Sequence, residues 1–87
     1  MYKNHYVSAI IAAAGMSNRM KSKINKQFIN INGKPILAHT LEKFQKCKYI
    51  DEIIVVARED EINYCKREIV KRYGFNKVTK IVRGGKE

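Results

Sequence analysis

Three short apolar runs rich in β-branched residues, separated by two stretches of helical periodicity, constrain this chain more than any other feature. The first, from Val7 to Ala13, is nearly continuous and suits a central strand buried on both faces. The second runs from Glu52 to Ala57 around Ile53-Ile54-Val55-Val56, and the third, from Val78 to Val82, is broken by Gly84-Gly85. Between the first two, Gln27 to Ile31 reads as a short strand closed by the turn Asn32-Gly33. Pro35 then suits the first position of a helix, and Ile36, Leu37, Thr40, Leu41 and Phe44 continue it at one-face spacing. A second helix is expected over 60–73, with acids first, bases later and Gly74 as its stop. Its inner face would be Ile62, Cys65, Ile69 and Tyr73. Strands alternating with helices at this spacing imply right-handed crossovers and a parallel sheet, an α/β fold.

Composition narrows the class. The 87 residues, 45% of them hydrophobic, make one small folded domain rather than a disordered chain. Cys47 and Cys65 stand apart, with no Cys-x-x-Cys pair or histidine cluster, so reduced packing thiols are expected and no residue is assigned to a metal. The start from Met1 to Ala14 is too short in its apolar part, and carries too few early cations, for a secretory leader. No segment is suited to span a membrane, and a cytoplasmic protein is expected. Eighteen basic against eight acidic residues give a formal net charge of +10. Such a surplus attracts polyanions, whether nucleic acid, a membrane surface or a nucleoside triphosphate, and does not choose among them.

In open parallel sheets, ligands bind beyond the carboxyl ends of the strands. Those ends are Ala13–Gly15, Ala57–Arg58 and Arg83–Gly85, of which the first and third carry glycine. Ala13, Ala14 and Gly15 let a ligand approach the backbone, and consecutive N–H groups in such a loop form an anion-binding concavity. Arg19 adds a planar fork of donors suited to phosphate, and Lys26 a compact charge. The loop is neither a Gly-Lys-Ser/Thr phosphate loop nor a Gly-x-Gly-x-x-Gly fingerprint, which removes the P-loop and dehydrogenase readings.

The string Ala13-Ala14-Gly15-x-x-x-Arg19-Met20, then Lys26-Gln27-Phe28, then Gly33-Lys34-Pro35-Ile36-Leu37, resembles the opening of nucleotidyltransferases. Closer details are similar to the 2-C-methyl-D-erythritol 4-phosphate cytidylyltransferases: Lys-Gln-Phe itself, His39-Thr40-Leu41-x-x-Phe44, the run from Ile50 to Val56, and Gly84-Gly85-x-Glu87. The resemblance implies a Rossmann-like nucleotidyltransferase sheet in a three-layer α/β/α arrangement. Residues 1–87 would be its N-terminal half, a single partial domain forming the CTP-binding front. It implies transfer of CMP from CTP to methylerythritol phosphate with release of pyrophosphate. Arg19 and Lys26 would stabilise the transition state, and Ala13, Ala14, Gly15, Ser17, Gly84 and Gly85 would bind the nucleotide. Mg2+ would bridge the phosphates on ligands beyond Glu87, and a homodimer is expected of the full-length family.

Two departures stand out. Ser17 occupies a position where the family commonly has a second glycine, and Asn25 replaces the proline that usually precedes the lysine. Asn25 would then leave Lys26 less rigidly placed. The family continues well past Glu87, so the chain is expected to be a fragment with negligible turnover alone.

Ribitol-5-phosphate cytidylyltransferase is the nearest enzyme alternative, although it more often opens with Ala-Gly-Gly. A basic nucleic-acid-binding module is the alternative of another class. It requires aromatics interleaved with cations on one exposed face, whereas Phe28, Phe44 and Tyr73 fall at positions expected to be buried, so no nucleic-acid partner is expected. His39 is expected to be a structural helix residue, His5 a surface residue near the terminus, and Lys66-Arg67 and Lys71-Arg72 the wet face of a helix.

Overall fold

The stretch Glu52–Ala57, with four consecutive β-branched residues, takes the middle of the sheet. A computed structural model describes residues 1–13 and 25–84. In chain order its elements are β1 (Ser8–Ala12), a 3-10 turn (Lys26–Phe28), β2 (Asn30–Ile31), β3 (Lys34–Pro35), α1 (Ile36–Lys46), β4 (Glu52–Ala57), a second helix (59–73) and β5 (Val78–Arg83). β1 and β5 both pair in parallel with β4, giving the order β1-β4-β5.

That order corrects one expectation. The run from Val7 to Ala13 was expected to be central and buried on both faces, yet β1 lies at an edge of the described sheet and alternates, with Ile10 69% exposed. The cause is topological. Two right-handed crossovers stepping in one direction, β1 to β4 to β5, put both helices on the same face. Ile53, Val55 and Ala57 turn to that face and are fully buried, whereas Ile10 and Val82 lie exposed on the other. The described residues thus build the sheet and one helical layer of a Rossmann-like α/β fold.

The core joins β4 to Leu37, Ala38 and Leu41 of α1 and to Cys65 and Ile69 of the second helix. Phe44, Ile62 and Tyr73 pack against it as the helical spacing predicts, while Phe75, just past the helix, fills it further. β5 fits its irregular pattern through a bulge: Ile53 pairs with Val78 but Ile54 with Lys80, leaving Thr79 over. The extra residue lets Val78 and Ile81, three positions apart, both pack on the core.

Local signals explain most boundaries. Asn32 and Gly33 have φ of 53° and 90°, the paired left-handed residues of a type I′ hairpin turn, and join β2 to β3. The expected strand from Gln27 is shorter, because Lys26–Phe28 closes as a 3-10 turn and pairing begins only at Asn30. Pro35 caps α1 from outside the first turn, one position earlier than expected. The second helix enters by a 3-10 turn (Glu59–Glu61) and widens to π-helix over Cys65–Lys71. It stops at Gly74, whose φ is +69°, with the Phe75 N–H returning to Val70 O at 3.0 Å.

Candidate functional site

The site grows out of the carboxyl end of β4. The Ala13 N–H donates to Val56 O at 2.7 Å, and the Gly84 N–H donates to Ala57 O at 2.8 Å. The two chains leaving β1 and β5 are therefore held on either side of one strand end, where open α/β sheets receive ligands. Ala13 is fully buried, and its carbonyl accepts from Asn25 Nδ2 at 2.8 Å. Both of its main-chain polar groups are spent inside the protein, which anchors the end of β1.

Lys26 reaches this edge from a different element. It opens the 3-10 turn, in which the Gln27 N–H donates to Asn25 Oδ1 at 2.8 Å, the Phe28 N–H to Asn25 O at 2.9 Å and the Ile29 N–H to Lys26 O at 3.1 Å. Below it, the Phe28 ring lies 4.7 Å from that of Tyr64 and packs on the core. Lys26 itself is exposed, and among the described residues no carboxylate pairs with it. Two further cations stand at the same edge, but each is engaged: Arg83 with Glu59 and Arg58 with Asp60, both at 3.1 Å.

Of the residues expected to form the site, the fold thus gathers Ala13, Lys26 and Gly84 at one end of the sheet. Ala14, Gly15, Ser17, Arg19 and Gly85 lie outside the described residues. Asn25 was expected to leave Lys26 loose. Instead its side chain bonds three elements, including Glu61 Oε1 at 2.9 Å. The signal for this was present, since Asn at the start of a turn is a capping residue; the partners from β1 and the second helix were not readable.

The remaining titratable groups serve structure. Burial pushes the Cys65 thiol up to about 11, with the Glu61 charge adding to it, so the thiol stays protonated and unreactive. His39 Nε2 donates to Ile31 O at 2.5 Å, tying α1 to the hairpin. At the opposite, amino end of the sheet, hydroxyls of Ser8 and Thr79 donate to Glu52 and hold its carboxyl below the usual range. Asp51 is lowered by the terminal ammonium and then by the Val7 N–H. Among the described residues no group of three or more His, Cys, Asp or Glu side chains could hold a metal ion, and no helix is long and apolar enough to cross a membrane.

Comparison with known proteins matches residues 7–87 to the family model for IspD, 2-C-methyl-D-erythritol 4-phosphate cytidylyltransferase. The chain belongs to this family. Among curated relatives bearing that description, the protein of Clostridium acetobutylicum is 63% identical over 79 residues, covering 91% of this chain and 34% of the relative. That of Clostridium kluyveri is 58% identical over 85 residues, covering 98% and 36%, and that of Geotalea uraniireducens is 49% identical over 81 residues, covering 93% and 35%. The chain spans about a third of the length of these relatives.

Proposed function

We propose that this segment supplies the triphosphate-facing wall of an enzyme that transfers CMP from CTP to 2-C-methyl-D-erythritol 4-phosphate. The observation that carries the reading is the match to the cytidylyltransferase family along residues 7–87. The convergence of Ala13, Lys26 and Gly84 at the carboxyl edge of the sheet supports it.

In this reaction a phosphate oxygen of the acceptor attacks the α-phosphorus of CTP. The new P–O bond forms as the α–β bridging bond breaks, and its electron pair leaves with pyrophosphate. Such a step needs little covalent help; it needs positioning and charge stabilisation. Lys26, which is exposed, is assigned to follow the phosphate charge as it builds. Arg19 is assigned the companion role, and Ala14, Gly15 and Ser17 the phosphate-side backbone. Gly84 and Gly85 are assigned to the base, since bare backbone can approach its edge. A divalent ion, magnesium by expectation, would help to carry the triphosphate charge. It finds no ligand set among the described residues, and the chemistry assigned to them is that of their own cations and amides.

The test incubates an enzyme of full family length that carries this segment with CTP, Mg2+ and methylerythritol phosphate and follows pyrophosphate, with ribitol 5-phosphate as competing acceptor. CTP-dependent release with the first acceptor supports the reading. Release only with ribitol 5-phosphate, or equal use of all four nucleoside triphosphates, refutes it.

A further inference from the structure

We propose that Asn25 is the positioning residue for Lys26, bolting the lysine turn to both the end of β1 and the start of the second helix. The side chain is half-buried, and its polar capacity is almost wholly used. Nδ2 donates to Ala13 O at 2.8 Å and to Glu61 Oε1 at 2.9 Å, while Oδ1 accepts the Gln27 N–H at 2.8 Å. Two acceptors facing the amino group and one donor facing the oxygen fix the orientation of the carboxamide, because a flipped amide would set N–H against N–H. The backbone of Asn25 adds a fourth bond, accepting the Phe28 N–H at 2.9 Å.

Each partner belongs to a different part of the site. Ala13 is the fully buried residue that follows β1, Glu61 closes the turn that begins the second helix, and Gln27 follows Lys26. A lysine carries its charge on a flexible four-carbon stem, so the direction of its Cα–Cβ bond sets the region the ammonium can sample. Asn25 sets that direction relative to the sheet end. Its φ of −70° and ψ of 123° also lie where proline is at ease. Proline would hold the same backbone angle through its ring but would leave Ala13 O without this donor. Asparagine holds it by tethers instead. Aspartate is isosteric but could not substitute: its second oxygen would face the Ala13 carbonyl and the Glu61 carboxylate with no proton to share.

This inference rests on the assignment of Lys26 to the phosphates of CTP, and the experiment separates the two. Amide hydrogen exchange at Gln27, Phe28 and Ile29, referenced to the amides of β4, reports the turn. An NMR titration with CTP and Mg2+, following the isotope-labelled Lys26 side chain, reports the ligand. Asn25→Ala and Asn25→Asp are expected to speed exchange in the turn at least tenfold with β4 unchanged, and to weaken CTP at least threefold. Asn25→Pro, which keeps the backbone angle but loses both tethers, should keep the Phe28 and Ile29 amides protected and weaken CTP less than Asn25→Ala does. Lys26→Ala should weaken CTP while leaving turn exchange unchanged. Turn exchange unaltered in Asn25→Ala, or CTP affinity unaltered there while Lys26→Ala weakens it, overturns the inference. CTP affinity unaltered in Lys26→Ala overturns the functional assignment instead, and turn exchange alone then decides whether Asn25 is the bolt. Should a variant also lose β4 protection, Glu61→Ala, which deletes one acceptor only, takes its place with an expected smaller change of the same sign.

Discussion

At the scale of single residues, the proposed chemistry and the stability fall on different side chains. Lys26 is exposed, so Lys26→Ala should leave the melting temperature within about 4 °C, because most surface changes stay within about 0.5 kcal/mol. If it faces the transferring phosphate, the same change made in an enzyme of full family length should lower kcat by about 10²-fold or more, the usual cost of removing one donor aimed at transition-state charge. A thermal melt beside pyrophosphate kinetics checks both halves. Glu42 is the converse case. The Lys34 ammonium, then that of Lys46, holds its carboxyl down to about 2 from an ordinary 4.5. A lowered folded value means that the stabilisation is present above pH 4.5 and is lost as pH falls through about 2. Glu42→Gln should therefore unfold at lower urea than wild type near neutrality, with the gap closing by about pH 2. The gap should be small, because the carboxyl is partly open to solvent. A gap that persists in acid would show that packing, not charge, is responsible.

At the scale of elements, most of the fold was legible where a local cause determines the structure. The I′ turn at Asn32-Gly33, the helical face through Leu37 and Leu41, and the stop at Gly74 follow from residue types alone. The rank of the strands did not, because strand order is decided by the direction of two crossovers and not by either strand. Val7 to Ala13 looks central by its apolar run, yet among the described strands β4 holds the middle. The bulge at Thr79 and the π-helical widening were likewise hidden; the first repairs a three-residue spacing that only appears wrong once the partner register is known. Within the candidate site, Lys26 and Gly84 are proposed from the family resemblance, while the grip of Asn25 was not readable, since its partners lie 12 and 36 residues away in sequence. Gly74 offers a clean test of a local cause. A Cβ there would meet nothing within 4 Å, so only its φ of +69° opposes substitution. Gly74→Ala should cost about 1 kcal/mol of stability, and Gly74→Asn less, since Asn tolerates the left-handed region better. Urea unfolding measures both, and equal stability of all three proteins would refute the helix-stop account.

At the scale of the whole molecule, the dominant unassigned property is the net charge of +10. Its bearing on stability depends on which electrostatic terms act at long range. The described ion pairs sit mostly on the surface, as at Met1–Asp51 (2.7 Å) and Arg72–Glu68 (3.6 Å), and pairs of that kind contribute between nothing and about 1 kcal/mol each. Repulsion among the surplus lysines and arginines acts over longer distances, where salt screens most effectively, the Debye length falling from about 30 Å at 0.01 M to about 3 Å at 1 M. Added salt should thus remove more repulsion than attraction. The same screening works against any ligand bound through these cations, so stability and CTP affinity should move in opposite directions. Raising NaCl from low to moderate concentration is expected to increase the melting temperature by a few degrees, equivalent to about 0.5–1 kcal/mol for a chain of this size. Over the same range CTP should bind more weakly. A melting temperature that falls with salt would mean that the short ion pairs outweigh the surplus charge. Affinity that holds constant would mean that the triphosphate is gripped by backbone amides rather than by Lys26 and its neighbours.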